Sequence, residues 1–473
     1  MKLEDKAAGA KWYALAFGLF LGLCIWKFGD PVILDRKIAT PATAGDFLGD
    51  AWPTHWAYWV LGPLAALGAW LVFRERRTAD SGDKLSPPRH LWRGLWLLPL
   101  AWLGWQFVSA AGTVDGELTT ATVGQFCGCV AAYFLGAKLM ARERRAQWLL
   151  IGVLAAFAFC LVRAVDQRLF EYPQSLQGMR EGERSGWTNF PPEAVTEMKN
   201  SGMIVTTNGV DVANPVIVAK FAHGRVSGTL VYPNALAEII LLLWPVSLVL
   251  AFGGTKELRP MVRWAAIGMT CGLGAAAFFW TGSKLGWLIG MGLAGLALLR
   301  RNWPRRLKLA AVALVVVLGL GVFAVRFHQY FAAGATSAGA RLDYWRAAVE
   351  TTGANPWLGT GPGTFQRPYA RIKSPTSEMA RLAHNDYLEQ FSDSGIPGGL
   401  AYVAWILLAL AVAGRKVWWT GNAFWFAVFL GLTGWFAQGL GEFGLYVPGL
   451  AWPAFTLLGC VIGQKGGLST ADS

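Results

Sequence analysis

Charged residues are scarce in this sequence. They make up 15% of its 473 residues, whereas a soluble globular domain carries about 25%. Hydrophobic residues account for 54%, and the mean hydropathy is +0.38, so a set of soluble domains is excluded. The composition instead predicts helices embedded in a membrane, and the 57 glycines suit close helix packing there.

Cysteine is also rare, and its positions exclude two further classes of protein. All six cysteines fall within apolar runs, which argues against a disulfide framework and favours buried thiols. Cys127 and Cys129 have the wrong spacing for a zinc site, and no histidine lies near them. We therefore expect no metal at this pair.

Apolar runs that could cross a bilayer dominate what is present. A bilayer core of roughly 30 Å needs about 20 helical residues. This criterion predicts an all-α integral membrane protein with about twelve transmembrane helices, the first of them retained and not a cleaved signal peptide. The predicted spans are 12–28, 56–73, 94–111, 119–140, 146–162, 234–253, 261–281, 285–299, 308–325, 396–413, 422–441 and 445–463.

The distribution of lysine and arginine orients the bundle, because these residues collect in short cytoplasmic loops. With the amino terminus inside, the inner segments and span ends carry 24 Lys and Arg against 8 Asp and Glu, and the outer ones 17 against 20. The net positive charge of the sequence therefore reflects the orientation of its helices in the membrane. No basic domain exists outside the membrane, so we expect no nucleic-acid partner.

Two outer connections are too long to be turns, and long loops are usually functional. The first ends in a β-prone stretch, 210–218, and the second contains predicted helices at 341–352 and 382–392, the latter closed by a glycine and a proline. The predicted organisation is 1–162 with helices one to five, 163–233 as a periplasmic segment, 234–325 with helices six to nine, 326–395 as a second periplasmic segment, 396–464 with helices ten to twelve, and 465–473 as a cytoplasmic tail.

Ionisable residues within predicted spans are functional candidates, because charge is costly in a bilayer. Glu238 is the clearest of them, one turn into span six with Asn234 four residues before it on the same helix face. The alternative is a half-buried carboxylate hydrogen-bonded to Asn234. Neither interpretation is excluded by the sequence.

The second long segment holds further candidates. Arg341 and Trp345 share one helix face, and an arginine fork can bind a phosphate, although a helix lying on lipid headgroups fits the same spacing. The glycine-rich run 359–363 could offer backbone N–H groups to an anion, but it lacks a Walker pattern and a turn is favoured. His384 precedes the next helix at the membrane edge, where imidazole can take a proton or merely cap the helix.

Three motifs in this segment resemble, in order and spacing, the signature region of the O-antigen ligase and polymerase family. Weaker echoes lie upstream, where Lys284 stands in place of an arginine common in the family, so that the bidentate fork is lost. With these echoes the resemblance covers about half the chain. The motifs are Arg341-Leu-Asp-Tyr-Trp345, Asn355-Pro-Trp-Leu-Gly-Thr-Gly-Pro-Gly363 and His384-Asn-Asp-Tyr-Leu-Glu389, with echoes at 225–237 and 281–287.

The resemblance implies a GT-C-like, metal-independent, inverting glycosyltransferase of the bacterial inner membrane, with its active site on the periplasmic side. Such an enzyme takes a glycan from undecaprenyl diphosphate and attaches it to a lipid-linked or glycan acceptor, with no cofactor. By the resemblance, His384 is the general base, and Arg225 and Arg341 bind the diphosphate. The expected substrate-binding residues are Lys284, Asn234, Glu238, Trp345, Asn385 and Tyr387. Membrane lipid is the remaining expected partner.

Three alternatives stay open. A polymerase would use the same donor with a different acceptor, and a ligase is favoured over it. A transporter would favour inverted repeats and paired charges at mid-membrane depth, which the sequence does not display. A metal-dependent transferase would need an acidic pair in an outer loop, and Asp115-Gly-Glu117 has the right spacing, although a solvated turn is the preferred interpretation.

Overall fold

A computed structural model describes residues 2–79, 90–332, 334, 336–375 and 377–464. The predicted tail, 465–473, lies outside the described residues. The helices and strands, in chain order, are α1 (Lys2–Lys27), α2 (Ala44–Gly49), α3 (His55–Ala79), α4 (His90–Ala110), α5 (Gly116–Leu139), α6 (Glu143–Asp166), α7 (Tyr172–Ser185), α8 (Pro192–Asn200), β1 (Ile204–Thr207), β2 (Val210–Ala213), α9 (Pro215–His223), α10 (Pro233–Gly254), α11 (Pro260–Thr281), α12 (Lys284–Arg300), α13 (Arg305–Ala332), α14 (Thr336–Ala354), α15 (Gln366–Ile372), α16 (Asp386–Trp418), α17 (Ala423–Gln438) and α18 (Pro448–Gly463).

The fold is that of an all-α membrane protein. Eight helices in the described ranges are long and apolar enough to cross a membrane: Gly9–Lys27, His55–Glu75, Gly116–Leu139, Glu143–Ser185, Pro233–Gly254, Pro260–Thr281, Arg305–Ala332 and Asp386–Trp418. Each of the twelve predicted spans overlaps a helix, and the remaining four overlap α4, α12, α17 and α18. Because α12, α17 and α18 have only 16 or 17 residues, the count of twelve stays a prediction.

Several boundaries differ from those predicted. A π-helical turn, Gln167–Glu171, joins α6 to α7, so the helix continues well past residue 162. Helix α13 likewise runs to Ala332, beyond the predicted boundary at 326. The hydrophobic pattern does not predict these extensions, because polar residues continue each helix there. Contacts with the surrounding structure support the extended part.

The predicted β-prone stretch 210–218 is only half strand. Its first part pairs with β1 in an antiparallel two-stranded sheet, with Val210 opposite Thr207. Pro215 then begins α9, because proline suits the first helical turn and the side chain of Asn214 accepts a hydrogen bond from the Val216 N–H. The strand prediction beyond residue 213 is therefore wrong.

The helix predicted from Leu382 starts later, at Asp386. The Asn385 side chain caps it by accepting hydrogen bonds from the Tyr387 and Leu388 N–H groups. The helix is interrupted at Gly395, whose φ of 69° and ψ of −178° are not helical, and it resumes through the span. The Ile396 N–H there donates to the Pro356 carbonyl, so the break anchors the loop after α14 to the bundle.

Close packing of the last helix places the loop that precedes it deep in the protein. A side chain at Gly459 in α18 would collide with the Tyr133 carbonyl of α5. Helix α18 is buried along its length, and so is the loop 441–447 between α17 and α18. This loop is therefore an interior element, held among α10, α14 and α16.

Candidate active site

A single buried carboxylate, Glu442, connects the segments that carry the predicted catalytic residues. Its side chain is 1% exposed. One carboxylate oxygen, Oε1, accepts hydrogen bonds from Asn234 Nδ2 at 2.6 Å and from an Nη of Arg341. The other, Oε2, accepts one from the Tyr232 hydroxyl at 3.0 Å and lies 3.5 Å from Nδ1 of His384. Residues far apart in sequence thus meet at this carboxylate.

Arg225 reaches the same cluster through Asn234. Its Nε donates to the Thr281 carbonyl at 2.7 Å and its Nη2 to the Asn234 side-chain oxygen at 2.8 Å. Burial lowers the pKa of Arg225, while the negative charge of Glu442 opposes this effect. The two predicted diphosphate-binding arginines are therefore joined by a short hydrogen-bonded chain, Arg225–Asn234–Glu442–Arg341.

Further positive charge surrounds this chain. Lys284 begins α12, outside the eight candidate spans, and its ammonium lies 3.7 Å from the centroid of the Tyr330 ring. Burial lowers the pKa of Lys284 to about 8, and the neighbouring Arg225, Arg341 and Arg326 act in the same direction. Within the described residues, neither Lys284 nor Arg326 forms an ion pair. The cluster thus carries an excess of cations suited to an anionic group.

His384 has an unusual backbone and a defined ring environment. Its φ is +50°, in the left-handed region, which is uncommon for any residue except glycine. The ring stacks on Tyr344 with centroids 5.9 Å apart and contacts Phe443 edge-on at 4.7 Å. Its Nδ1 is buried and faces Glu442, while the side chain as a whole is 29% exposed. The exposed part of the side chain therefore does not include Nδ1.

The predicted substrate-binding residues beside His384 hold protein groups in the structure. Asn385 Nδ2 donates to the Leu440 carbonyl, and the Tyr387 hydroxyl donates to the Phe436 carbonyl. The Trp345 indole N–H points at the His384 carbonyl at 3.4 Å. These three side chains lie at the site, but their polar groups bind the end of α17, the residues that follow it and the His384 backbone.

Glu238 does not open onto the cluster. It is fully buried, and neither carboxylate oxygen has a hydrogen-bond partner among the described residues. The side chain packs against Gly444, where any Cβ would collide with it. The alternative hydrogen bond from Asn234 is not formed, because Asn234 is engaged by Arg225 and Glu442. Glu238 therefore lies behind the loop that carries Glu442.

The glycine-rich run 359–363 forms a turn around an internal carboxylate. Gly359, Gly361 and Gly363 all have positive φ. The Gly363 N–H donates to Asp393 Oδ2 at 2.6 Å, and the Tyr446 hydroxyl bonds the same oxygen at 3.2 Å. The Gly363 N–H is thus bound by the protein's own Asp393 carboxyl group, as expected of a structural turn.

The acidic pair that could have held a metal is engaged elsewhere. The Asp115 carboxylate caps α5 and forms an ion pair with Arg367, and Glu117 pairs with Arg36 at 2.8 Å. Over the residues that the structure describes, no group of three or more His, Cys, Asp and Glu is arranged to hold a metal ion.

Sequence reasoning missed Glu442 and Arg326. A signal for Glu442 existed, because it is the sole charged residue between 417 and 464, and an isolated charge in a strongly apolar region is costly unless it is used. The predicted span 422–441 ends one residue before Glu442, so the sequence places this residue in a loop. For Arg326 no comparable signal stands out, since it follows a predicted span like many interfacial arginines.

The long apolar helices are those of a multi-pass membrane protein. Residues 269–403 match the family model described as O-antigen ligase. This match confirms the resemblance to the O-antigen ligase family over these residues and supports an enzyme of the glycosyltransferase type. No curated protein matches the chain. The matched region includes Lys284, Arg341 and His384, whereas Arg225 and Glu442 lie outside it.

Proposed function

We propose that the protein is an O-antigen ligase. In this proposal it transfers a glycan from undecaprenyl diphosphate to a hydroxyl of the lipid A core oligosaccharide or a similar acceptor, at the periplasmic face of the bacterial inner membrane. One observation carries the proposal: Arg225, Arg341 and His384, which come from three separate motifs, meet around the single carboxylate of Glu442. A site of this kind can bind an anion and accept a proton at once.

The donor diphosphate is the anion that fits the cationic cluster. Arginine offers parallel N–H groups that follow charge onto the leaving phosphate oxygens, and cations held in place before the reaction stabilise that charge in the transition state. Arg225 and Arg341 take this role, and Lys284 and Arg326 add to the local potential. The leaving group needs no proton, because a diphosphate is already a good leaving group.

His384 is the proposed general base. Its Nε2 takes the proton of the acceptor hydroxyl as the hydroxyl oxygen attacks the anomeric carbon, and the bond from that carbon to the diphosphate oxygen breaks. The products are the glycosylated acceptor, undecaprenyl diphosphate and protonated His384. Attack opposite the leaving group inverts the anomeric carbon.

The charge distribution supports a periplasmic site. With the orientation that places the basic segments inside, Arg225, Lys284, Arg341 and His384 all fall in outer connections. Glu442 falls in the short outer turn between the last two predicted spans. Lipid-linked donor and lipid-anchored acceptor can both approach such a site from the outer leaflet.

The surface glycan of a deletion strain tests the function. We expect loss of long-chain lipopolysaccharide and accumulation of polymerised, lipid-linked glycan, restored by the wild-type gene. Accumulation of single lipid-linked repeat units would instead identify a polymerase, which shares the donor. Unaltered surface glycans would contradict both functions.

The charge of Lys284 predicts a dependence of donor binding on alkaline pH. Because the pKa of Lys284 is lowered to about 8, the side chain is charged at pH 7 and mostly neutral at pH 9. The KM for the donor should therefore rise several-fold between these pH values, and much less in Lys284→Arg, whose charge persists. Lys308→Arg is the matched control. Lys308 lies near the amino-terminal end of α13, so its replacement should leave the pH dependence of the KM as it is in the wild type. An equal rise in Lys284→Arg would remove Lys284 from donor binding.

A further inference from the structure

The hydrogen bonds around Glu442 are those of an ionised carboxylate. Asn234 Nδ2, the Tyr232 hydroxyl and the Arg341 guanidinium are all donors to it, and an ionised carboxylate can only accept. A buried charge of this kind is costly unless it is paired and hydrogen-bonded. Glu442 satisfies both conditions, and Arg341 supplies the compensating charge.

The loop that carries Glu442 is pinned to the segment that carries His384. The Asp386 N–H donates to the carbonyls of Gly439 and Glu442, and the Asp386 carboxylate accepts from the Leu445 N–H at 3.3 Å. Asn385 adds its bond to the Leu440 carbonyl. The residues directly after His384 therefore set the position of Glu442, so that the two side chains are placed relative to each other by shared backbone contacts.

The imidazole of His384 has one polar neighbour on its buried edge. Nδ1 lies 3.5 Å from Glu442 Oε2, longer than a hydrogen bond but within ion-pair range, while Tyr344 and Phe443 cover the ring. Other ionisable groups surround the pair: Arg341 and Tyr232, both bound to Glu442, Arg225 behind Asn234, Tyr344 against the ring, and the buried carboxyls of Asp386 and Glu238 close to Glu442. A carboxylate at Nδ1 favours the tautomer with hydrogen on Nδ1, which leaves Nε2 free to accept a proton.

We infer that Glu442 is a positioning residue for His384: its carboxylate holds the imidazole with Nδ1 protonated and Nε2 basic, and it stabilises the imidazolium that forms when the acceptor hydroxyl is deprotonated. The functional part of this inference rests on the proposed transferase activity. The placement of the proton on Nδ1 is independent of that activity, and it can be measured without turnover.

The first test is nitrogen NMR of purified protein carrying ¹⁵N-labelled histidine, with His384→Ala to assign the signal among five histidines. We expect neutral His384 in the wild type to carry its proton on Nδ1. In Glu442→Gln the fraction of the ring with hydrogen on Nδ1 should fall, because the carboxylate that favours this tautomer is gone. The matched control is Glu378→Gln, which removes an exposed carboxylate that accepts a bond from the Tyr344 hydroxyl and does not face the imidazole; the position of the proton there should not change.

The second test is the rate of glycan transfer. Glu442→Gln should lower kcat by about 10- to 100-fold, the usual cost of losing a partner that orients a histidine, and move the acid limb of the rate profile to lower pH. Glu442→Asp should keep the acid limb of the wild type and recover part of the rate. A rate that falls equally at every pH, with an unmoved limb, would reduce Glu442 to a structural role and overturn the inference.

The two tests separate the inference from the proposed function. Wild-type protein that fails to transfer glycan, while His384 still shows the Nδ1 proton and loses it in Glu442→Gln, would contradict the function and leave the placement intact. Conversely, active wild-type protein with the His384 proton on Nε2 would overturn the inference alone. Locating the proton on His384 in the wild type needs no variant of Glu442. This measurement therefore tests the inference even if Glu442→Gln fails to fold.

Discussion

Replacing His384 with alanine should lower the rate of glycan transfer by about 10²- to 10⁴-fold, the contribution of a general base. The protein should remain folded and inserted, because the ring is partly exposed and its Nδ1 forms no hydrogen bond that the fold needs. Transfer from a lipid-linked donor by purified protein measures the rate, and thermal unfolding measures the folded state.

His328→Ala is the matched control for this experiment. His328 is exposed near the carboxyl-terminal end of α13, and in the described part of the chain its ring is hydrogen-bonded to the Val325 carbonyl alone, so its removal should leave the rate unchanged. Folded His384→Ala with near-wild-type turnover would exclude the role of base. A loss of only a few-fold would indicate that the imidazole positions the acceptor and does not take its proton.

Replacing either Arg225 or Arg341 with lysine should lower the rate by about 10²-fold, the cost of losing one preorganised donor to a developing charge. Lysine keeps the charge but cannot reproduce the fork. Arg225 uses Nε and Nη2 on two different acceptors, Thr281 and Asn234, and one ammonium cannot occupy both positions. Steady-state rates and donor KM for each variant provide the measurement.

Arg346→Lys controls for arginine replacement on the same helix as Arg341. Arg346 is exposed and its nearest acidic partner, Glu350, lies 4.0 Å away, so its variant should transfer at the wild-type rate. Full activity of both Arg225→Lys and Arg341→Lys would show that the diphosphate is held by other groups.

Removal of metal ions tests whether arginine or a metal ion binds the diphosphate. Purified enzyme should keep working in EDTA, and Asp115→Asn should be nearly silent, since asparagine also caps a helix and an exposed ion pair contributes little. If EDTA abolishes transfer and magnesium or manganese restores it, the result would indicate that Asp115 and Glu117 form a metal site.

The sequence predicted the local features of this protein well, for physical reasons that act over a few residues. Charge scarcity and apolar runs identified a helical membrane protein, because the bilayer itself demands them. The order of the motifs around Arg341 and His384 led to the O-antigen ligase family, and the match of residues 269–403 bears this out. The turn at 359–363 follows from backbone preferences of glycine that are equally local.

Only the tertiary structure decided how the candidate site is assembled. Helix spacing suggested that Asn234 bonds Glu238, yet Asn234 bridges Arg225 and Glu442, which come from distant segments. Asn385 bonds the carbonyl of Leu440, just before Glu442, and Tyr387 bonds the end of α17; neither contact can be predicted from the sequence around these two residues. The physical reason is that hydrogen bonds and charge pairs form between groups that packing brings together, and the packing of α17 and α18 against earlier helices is set by the whole chain, not by the periodicity of any one segment.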